Sequence, residues 1–349
     1  MGNMKTILDL GYGKEALYDM YKASRMSSRL FYGMVEIERE GRFRVVKCSF
    51  DTTGGVIGLV KNNLKVLQTA DVVFMSYMYG SPLILLSLLK KLGFYRKRKI
   101  VGICHHTLSA GGNGVSKALN KLVYSSFEKI LFHSQKNLEE SLQAGLLKPS
   151  QAEFLFWGDD IPFIDQSFPE KPTGDFFLST GRENRDFQTL TDAFAQEDAC
   201  LEIYSNKTNY DNKYDFLETM QGKYDNISIS FVEKSTQTTN FLASRTAHCK
   251  CVVIPLAQEH IHYCLGLTSV VEAMAMGKPV ISSRNPYSPI DIEKEGIGFV
   301  ANTVEEWKRA IRYMQVHPDE CEEMGRRARK LAEQKFNIQA CANQLSRLF

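Results

Sequence analysis

Charge of either sign is not in excess in this sequence: 43 Lys and Arg face 40 Asp and Glu, a net charge of +3 over 349 residues. That balance speaks against nucleic acid as the partner while leaving room for a local basic patch. No apolar segment approaches the roughly 20 residues that cross a bilayer. The opening residues run straight into a strand-like stretch, without the charged and apolar regions of a signal peptide. The eight cysteines, Cys48, Cys104, Cys200, Cys249, Cys251, Cys264, Cys321 and Cys341, include no Cys-x-x-Cys pair, which removes the usual zinc and redox motifs. Scattered and mostly inside apolar runs, they read as buried thiols in a reducing, cytoplasmic compartment. Cys249 and Cys251 have the wrong spacing for a zinc knuckle and lead into the apolar residues 252–254, so a strand is expected there.

With 44% apolar and 24% charged residues, the composition is that of a globular protein long enough for two domains, each with its own core. Strand-like runs alternate with helical patterns nearly throughout, which predicts an α/β fold of parallel sheets wound with helices. The first run, residues 5–10, ends in Gly11 and Gly13. There an open α/β sheet lets backbone approach a ligand, and a plain tight turn fits equally well. Helices are expected at 16–39, 56–68 and 82–92, and strands at 43–48 and 71–77. The strand at 100–104 delivers His105 and His106 to its C-terminal edge, where such sheets hold ligands. Neighbouring side chains there point to opposite sides, so they do not form a metal pair. One imidazole for catalysis, or a structural pair bonded to loop backbone, both fit. A Gly-rich loop leads to a helix at 116–127 and a strand at 129–133, after which Ser134 caps a further helix. Between 149 and 172 the rhythm breaks, and residues 162–174 read as an interdomain linker.

The helix at 82–92 runs into Lys90, Lys91, Arg96, Lys97, Arg98 and Lys99, with Phe94 and Tyr95 among them. Such a run suits an anionic membrane surface, at about 1 kcal/mol per cation near the lipid. It equally suits a solvated helix end whose cations answer the C-terminal dipole.

A second α/β unit opens with a strand at 176–180, followed by Gly181, Arg182 and Arg185. Two arginines between a strand and the helix at 187–194 suit a diphosphate; paired with Glu183 and Asp186, they are ordinary surface ion pairs. After strands at 201–204, 227–232 and 251–255 comes the stretch 266–281. Gly266, Leu267, Thr268 and Ser269 open a helix whose free N–H groups and positive dipole end suit a phosphate. Glu272 stands one turn further in, within reach of hydroxyls on the same ligand. Gly277 ends the helix, and an apolar strand follows. A capped amphipathic helix with a surface glutamate is the ordinary alternative.

Glu272-Ala-Met-Ala-x-Gly277-Lys-Pro279, Gly181-Arg182 after a strand, Trp157-Gly-Asp-Asp160 and His105 at a strand edge together resemble the retaining glycosyltransferases of the group 1 family, also called family 4. The resemblance is strongest from 176 to about 332. It implies the GT-B architecture, two Rossmann-like doubly wound parallel-sheet domains facing across a cleft. The acceptor domain would span 1–165 and the nucleotide-sugar donor domain 166–335, with a C-terminal helix at 336–349 packing back on the first. The resemblance assigns donor binding to Gly11, Gly13, Arg182, Arg185, Gly266, Leu267, Thr268, Ser269 and Glu272, and catalytic roles to His105, Arg182 and Glu272. The family's usual lysine after Arg182 is absent, and Arg185 is the candidate substitute. No metal or cofactor is implied, and the sequence has no Asp-x-Asp pair of the kind that holds a cation in transferases of another fold.

One departure stands out. Where the family often has a glutamate eight positions before Glu272, this chain has Cys264, and a thiol does not accept from sugar hydroxyls as a carboxylate does. Glu259, His260 and His262 are the candidate sugar contacts in its place. The implied activity is retaining transfer of a hexose-type sugar from a UDP- or GDP-sugar to a glycan or lipid-linked acceptor. The implied setting is bacterial surface polysaccharide assembly at the inner face of the membrane. Rival readings are a non-catalytic GT-B nucleotide-binding or scaffold subunit, which Cys264 would suit, a GT-B nucleotide-sugar epimerase, and a sugar-phosphate phosphorylase.

Overall fold

The computed structural model describes residues 4–11, 14–49, 70–78, 81–94, 98–109, 114–170, 174–209, 212–233, 235–259 and 261–349. The chain divides into two units, Met1–Trp157 with Ile338–Phe349, and Gly158–Asn337.

In the first unit, strands β1 (Lys5–Gly11), β2 (Phe43–Ser49), β3 (Val72–Met75), β4 (Lys99–Cys104), β5 (Lys129–Phe132) and β6 (Ala152–Phe154) form a parallel sheet in the order β2-β1-β3-β4-β5-β6. Ile7, Leu8, Val73, Phe74, Ile130 and Phe132 are buried, as expected of strands covered on both faces. Helices α1 (Lys14–Lys22), α2 (Met34–Arg39), α3 (Ser81–Lys91), α4 (Gly114–Tyr124) and α5 (Gln135–Gln143) belong to this unit. The single helix expected at 16–39 is two helices joined by a 3-10 turn at Ser28–Phe31. The chain breaks there because Ser24, Tyr32 and Gly33 take positive φ, which ends a right-handed helix. The helix expected at 56–68 lies outside the described residues.

In the second unit, β7 (Phe176–Thr180), β8 (Cys200–Ser205), β11 (Ile227–Phe231), β12 (Cys251–Ile254), β13 (Val280–Ser282) and β14 (Gly298–Val300) form a second parallel sheet, ordered β11-β8-β7-β12-β13-β14. A short antiparallel pair, β9 (Thr208–Asn209) and β10 (Asn212–Lys213), stands apart. Helices α6 (Ile161–Ser167), α7 (Phe187–Phe194), α8 (Phe216–Met220), α9 (Thr236–His248), α10 (Leu267–Ala275), α11 (Val304–Val316) and α12 (Pro318–Gln334) complete the unit. Its core gathers Phe177, Phe187, Phe194, Ile203, Val253 and Trp307. Counted within this sheet the order is 3-2-1-4-5-6, which puts the topological switch between β7 and β12, the place where open α/β sheets bind ligands.

The interdomain linker expected at 162–174 is corrected by α6. Asp160 caps that helix by accepting from Phe163 N at 3.2 Å, and a proline stands in its first turn, so the prolines begin a helix here. The division falls after Trp157, ahead of the expected 165. The closing helix α13 (Ile338–Ser346) belongs to the first unit. A Cβ at Gly33 would lie 2.8 Å from Ala342 Cα, so glycine is what lets α2 and α13 approach so closely. Gln344 accepts from Phe156 N at 3.2 Å and donates to Phe154 O.

Candidate active site

The stretch that the sequence singles out forms one connected arrangement in the second unit. Gly266 caps α10 with φ +79° and offers no side chain to the first turn. Leu267 N donates to Cys264 O at 3.2 Å. Among the described residues no acceptor answers the N–H groups of Thr268 and Ser269. Thr268 is exposed and Ser269 half-buried, so two free donors and the positive end of a helix dipole face outward together. Glu272, one turn on, is half-buried, and its Oε1 accepts from Thr246 Oγ1 on α9 at 3.2 Å. The helix closes at Gly277, whose φ of +68° lets Lys278 N reach Ala273 O at 2.9 Å.

The loop after β7 supplies the cations, and the two arginines do different things. Arg182 is half-exposed and has no hydrogen bond or ion pair among the described residues. Arg185, expected to share a diphosphate with it, is instead drawn inside, 8% exposed. Its Nη1 donates to Glu183 O at 2.6 Å, its backbone N–H donates to Tyr214 Oη at 2.8 Å, and its Nε is buried without an acceptor. The guanidinium lies against Gly181, in the space a Cβ would need. Burial lowers the Arg185 pKa from its ordinary value. Arg185 is therefore a scaffold for the loop, and Arg182 is the accessible cation.

This loop is tied to the one after β12. Asp186 N donates to Pro255 O at 3.0 Å, and Ala257 N donates to Asn184 O at 3.1 Å. Asn184, at φ +49°, donates from Nδ2 to Ala257 O at 3.0 Å and to Glu259 O at 3.2 Å. From the other side, Asn285 Nδ2 donates to Tyr263 O at 3.1 Å and Leu265 O at 3.0 Å. Asn184 and Asn285 thus fix the approach to Gly266, a role sequence reasoning missed. Asparagine at these points was the available signal, since it satisfies loop carbonyls and tolerates positive φ.

Cys264 is half-buried, and burial pushes its thiol up to about 12, so it stays neutral. Glu259 and His262 are exposed on the same loop, and His260 lies outside the described residues.

In the first unit, Gly11 ends β1 in register with Ser49 of β2, while Gly13 lies outside the described residues. His105 follows β4, half-buried, and its Nε2–H donates to Ser76 O at 3.1 Å. That bond fixes the tautomer and leaves Nδ1 as the lone-pair nitrogen. Tyr77 stacks on its ring at 4.6 Å. His133, which no sequence signal marks out, stands 5.5 Å away and is 3% exposed. Its Nδ1–H donates to Leu155 O at 2.9 Å, and Nε2 is buried without a partner. Burial lowers His105 to about 4 and His133 to about 3, so both are neutral at pH 7.

The cations at 90–99 are less free than the sequence suggests. Lys90 donates to Ser126 O at 2.7 Å, Arg98 pairs with Asp71 at 3.3 Å, and Lys99 donates to Leu348 O at 3.0 Å. Arg96 and Lys97 lie outside the described residues. No helix among the described residues is long and apolar enough to cross a membrane.

Residues 161–331 match the model of the family described as glycosyl transferases group 1. No curated protein matches. Among solved structures, a glycosyltransferase from Rickettsia africae ESF-5 is similar at TM-score 0.71 and 13% identity, covering 99% of this chain and 98% of that one. HepE of Anabaena, solved with UDP and glucose, is similar at 0.64 and 16%, over 98% of each chain. A UDP-GlcNAc 2-epimerase from Neisseria meningitidis bound to UDP-GlcNAc is similar at 0.58 and 10%, over 98% of this chain and 99% of that one. At such identities the likeness shows the GT-B fold of two parallel-sheet domains.

Proposed function

Because residues 161–331 match the family model of the group 1 glycosyl transferases, we propose that this chain moves a hexose-type sugar from a nucleoside-diphosphate sugar to a glycan or lipid-linked acceptor, with retention of anomeric configuration. The observation that carries the reading is the start of α10. Two N–H groups, at Thr268 and Ser269, without an acceptor among the described residues, stand one turn before Glu272, and Asn184 ties the loop leading to them to the one bearing Arg182, which has no hydrogen bond or ion pair among the described residues.

Breaking the bond between sugar and diphosphate leaves negative charge on the phosphate, and stabilising that charge is the main catalytic task. Arg182, the two N–H groups and the helix dipole would supply it. Glu272, its carboxylate steadied by Thr246, would accept from the ribose hydroxyls. In a retaining transfer the acceptor attacks from the leaving-group side and the departing phosphate takes its proton, so no strong protein base is required. His105 suits that scheme. A neutral imidazole with a pKa of about 4 is a weak base at pH 7, and its role would be to orient the donor sugar. Glu259, His260 and His262 are the proposed sugar contacts where Cys264 replaces a carboxylate.

UDP is the first nucleotide to test, since HepE was solved with it, and GDP the second. We place the reaction at the cytoplasmic face of a membrane, in surface polysaccharide assembly. A thermal-shift panel of UDP, GDP and their sugars tests the reading. A ligand at a hundred times its Kd stabilises the folded state by about 2.7 kcal/mol, so the matching nucleotide and its sugar should raise the unfolding midpoint together. A flat panel, with no slow donor hydrolysis, would instead favour the scaffold-subunit reading.

A further inference from the structure

Beyond β14, the edge strand of the second sheet, the chain turns into α11. Thr303 and Glu306 have the spacing of a capping box, and the box is closed. Glu306 N donates to Thr303 Oγ1 at 3.3 Å, while Glu306 Oε2 accepts from Asn302 N at 2.7 Å and from Thr303 N at 3.2 Å. Helical spacing brings Arg309 and Tyr313 to the same face of α11. With Phe299 of β14 and Arg284 from the loop after β13, they line an open groove of about 380 Å³, a volume suited to a small molecule.

The open polar groups of this groove are donors. Each of its two carboxylates already has an oxygen bound to backbone N–H, Glu306 in the capping box and Glu293 by accepting from Val300 N at 3.3 Å. Arg284 and Arg309 are exposed, and neither guanidinium has a hydrogen bond or ion pair among the described residues. Asn302 accepts from Arg284 N at 3.0 Å through Oδ1, and its Nδ2 has no acceptor among the described residues. Guanidinium forks match the oxygens of a phosphate. Beside them Phe299 and Tyr313 meet edge to face at 5.0 Å, and Tyr313 Oη donates to Glu320, which holds the ring in place. That apolar wall suits a flat ring carried by the phosphate. A bare inorganic anion would leave the wall unused, and a cation would face two guanidiniums.

Arg284 also reaches the chain that leads to Gly266. Its carbonyl accepts from Gln258 Nε2 at 3.2 Å, and its neighbours hold the same loop, Ser283 Oγ by accepting from Leu256 N at 3.0 Å and Asn285 through Tyr263 O and Leu265 O. We propose that this groove binds a small phosphomonoester bearing a flat ring, and that fixing Arg284 there steadies residues 256–258 and 263–265. The site uses none of the groups assigned to the nucleotide and does not rest on that reading.

Calorimetric titration of the full chain with phenyl phosphate, against inorganic phosphate, tests the proposal. Phenyl phosphate should bind with unit stoichiometry and about tenfold more tightly than inorganic phosphate, through the buried ring. Arg284→Gln with Arg309→Gln should weaken it by about tenfold or more. The urea midpoint should not move, since neither guanidinium is bonded within the fold. Arg182→Ala should bind phenyl phosphate as the wild type does, and a failure of nucleotide binding leaves all these readouts intact. Saturating phenyl phosphate should slow hydrogen exchange at the amides of Ala257, Leu265 and Leu267 by about fivefold. Binding no tighter than that of inorganic phosphate, undiminished affinity in the folded double variant, lost affinity in Arg182→Ala, or unaltered exchange at those amides would each overturn it.

Discussion

Two arginines three positions apart in one loop have opposite fates, and a glycine decides between them. Gly181, at φ +127°, leaves room for the Arg185 guanidinium to fold back on the loop, which turns Arg182 outward. Gly181→Ala should therefore destabilise the second unit by about 1–3 kcal/mol, seen as an earlier urea midpoint, because the Cβ meets both an unfavourable φ and the arginine. Arg182→Ala should leave that midpoint alone. The histidines make a separate prediction. His105 and His133 are held neutral, with pKa values lowered to about 4 and about 3. The unfolded chain binds their protons below its ordinary pKa of about 6.5, so it gains protons that the folded state does not. Stability is thus fully present above that value and falls as pH drops toward 4, at up to about 1.4 kcal/mol per pH unit for each histidine. His133→Asn, which keeps a donor for Leu155 O, should flatten the loss between pH 6 and 4 in urea titrations. An unchanged slope would mean that His133 is not the buried neutral group described.

At the scale of elements, the proposed site rests on the start of one helix, whose N–H groups at Thr268 and Ser269 meet no acceptor among the described residues, and on the loops that hold it. Asn285→Ala removes two hydrogen bonds to the carbonyls of Tyr263 and Leu265, a loss of about 1–3 kcal/mol. The variant should bind nucleoside diphosphate more weakly although Asn285 itself is not placed on the ligand. An affinity equal to wild type would show that the loop needs no such support. Elements like α10 were legible in the sequence because glycine caps, hydroxyls and one carboxylate at helical spacing have local causes. The break at 23–33 was not, since it depends on Gly33 meeting Ala342 across more than three hundred residues of chain. The start of α6 was legible but misread: Asp160 followed by Pro162 is an N-terminal signal, and the surrounding prolines suggested a linker. His133 escaped notice because its significance lies in a partnerless nitrogen, which no sequence pattern reports.

At the scale of the whole molecule, both units repeat one plan, a six-stranded parallel sheet wrapped in helices. That plan was readable from buried apolar runs alternating with amphipathic ones. In the second unit the strand order places the switch between β7 and β12, and the loops after those two strands are the ones that carry Arg182 and lead to Gly266. Topology, helix dipole and cation are the observations on which the proposed diphosphate site rests. The most direct test is calorimetric titration of UDP and GDP into the wild-type chain, Arg182→Ala and Glu272→Ala. One nucleotide should bind with unit stoichiometry, and each variant should lose about ten- to a hundredfold in affinity, the worth of a hydrogen bond to a charged group, with its unfolding midpoint unchanged. Binding of neither nucleotide, or equal affinity in all three proteins, would contradict the assignment of a nucleoside-diphosphate site to this edge of the sheet.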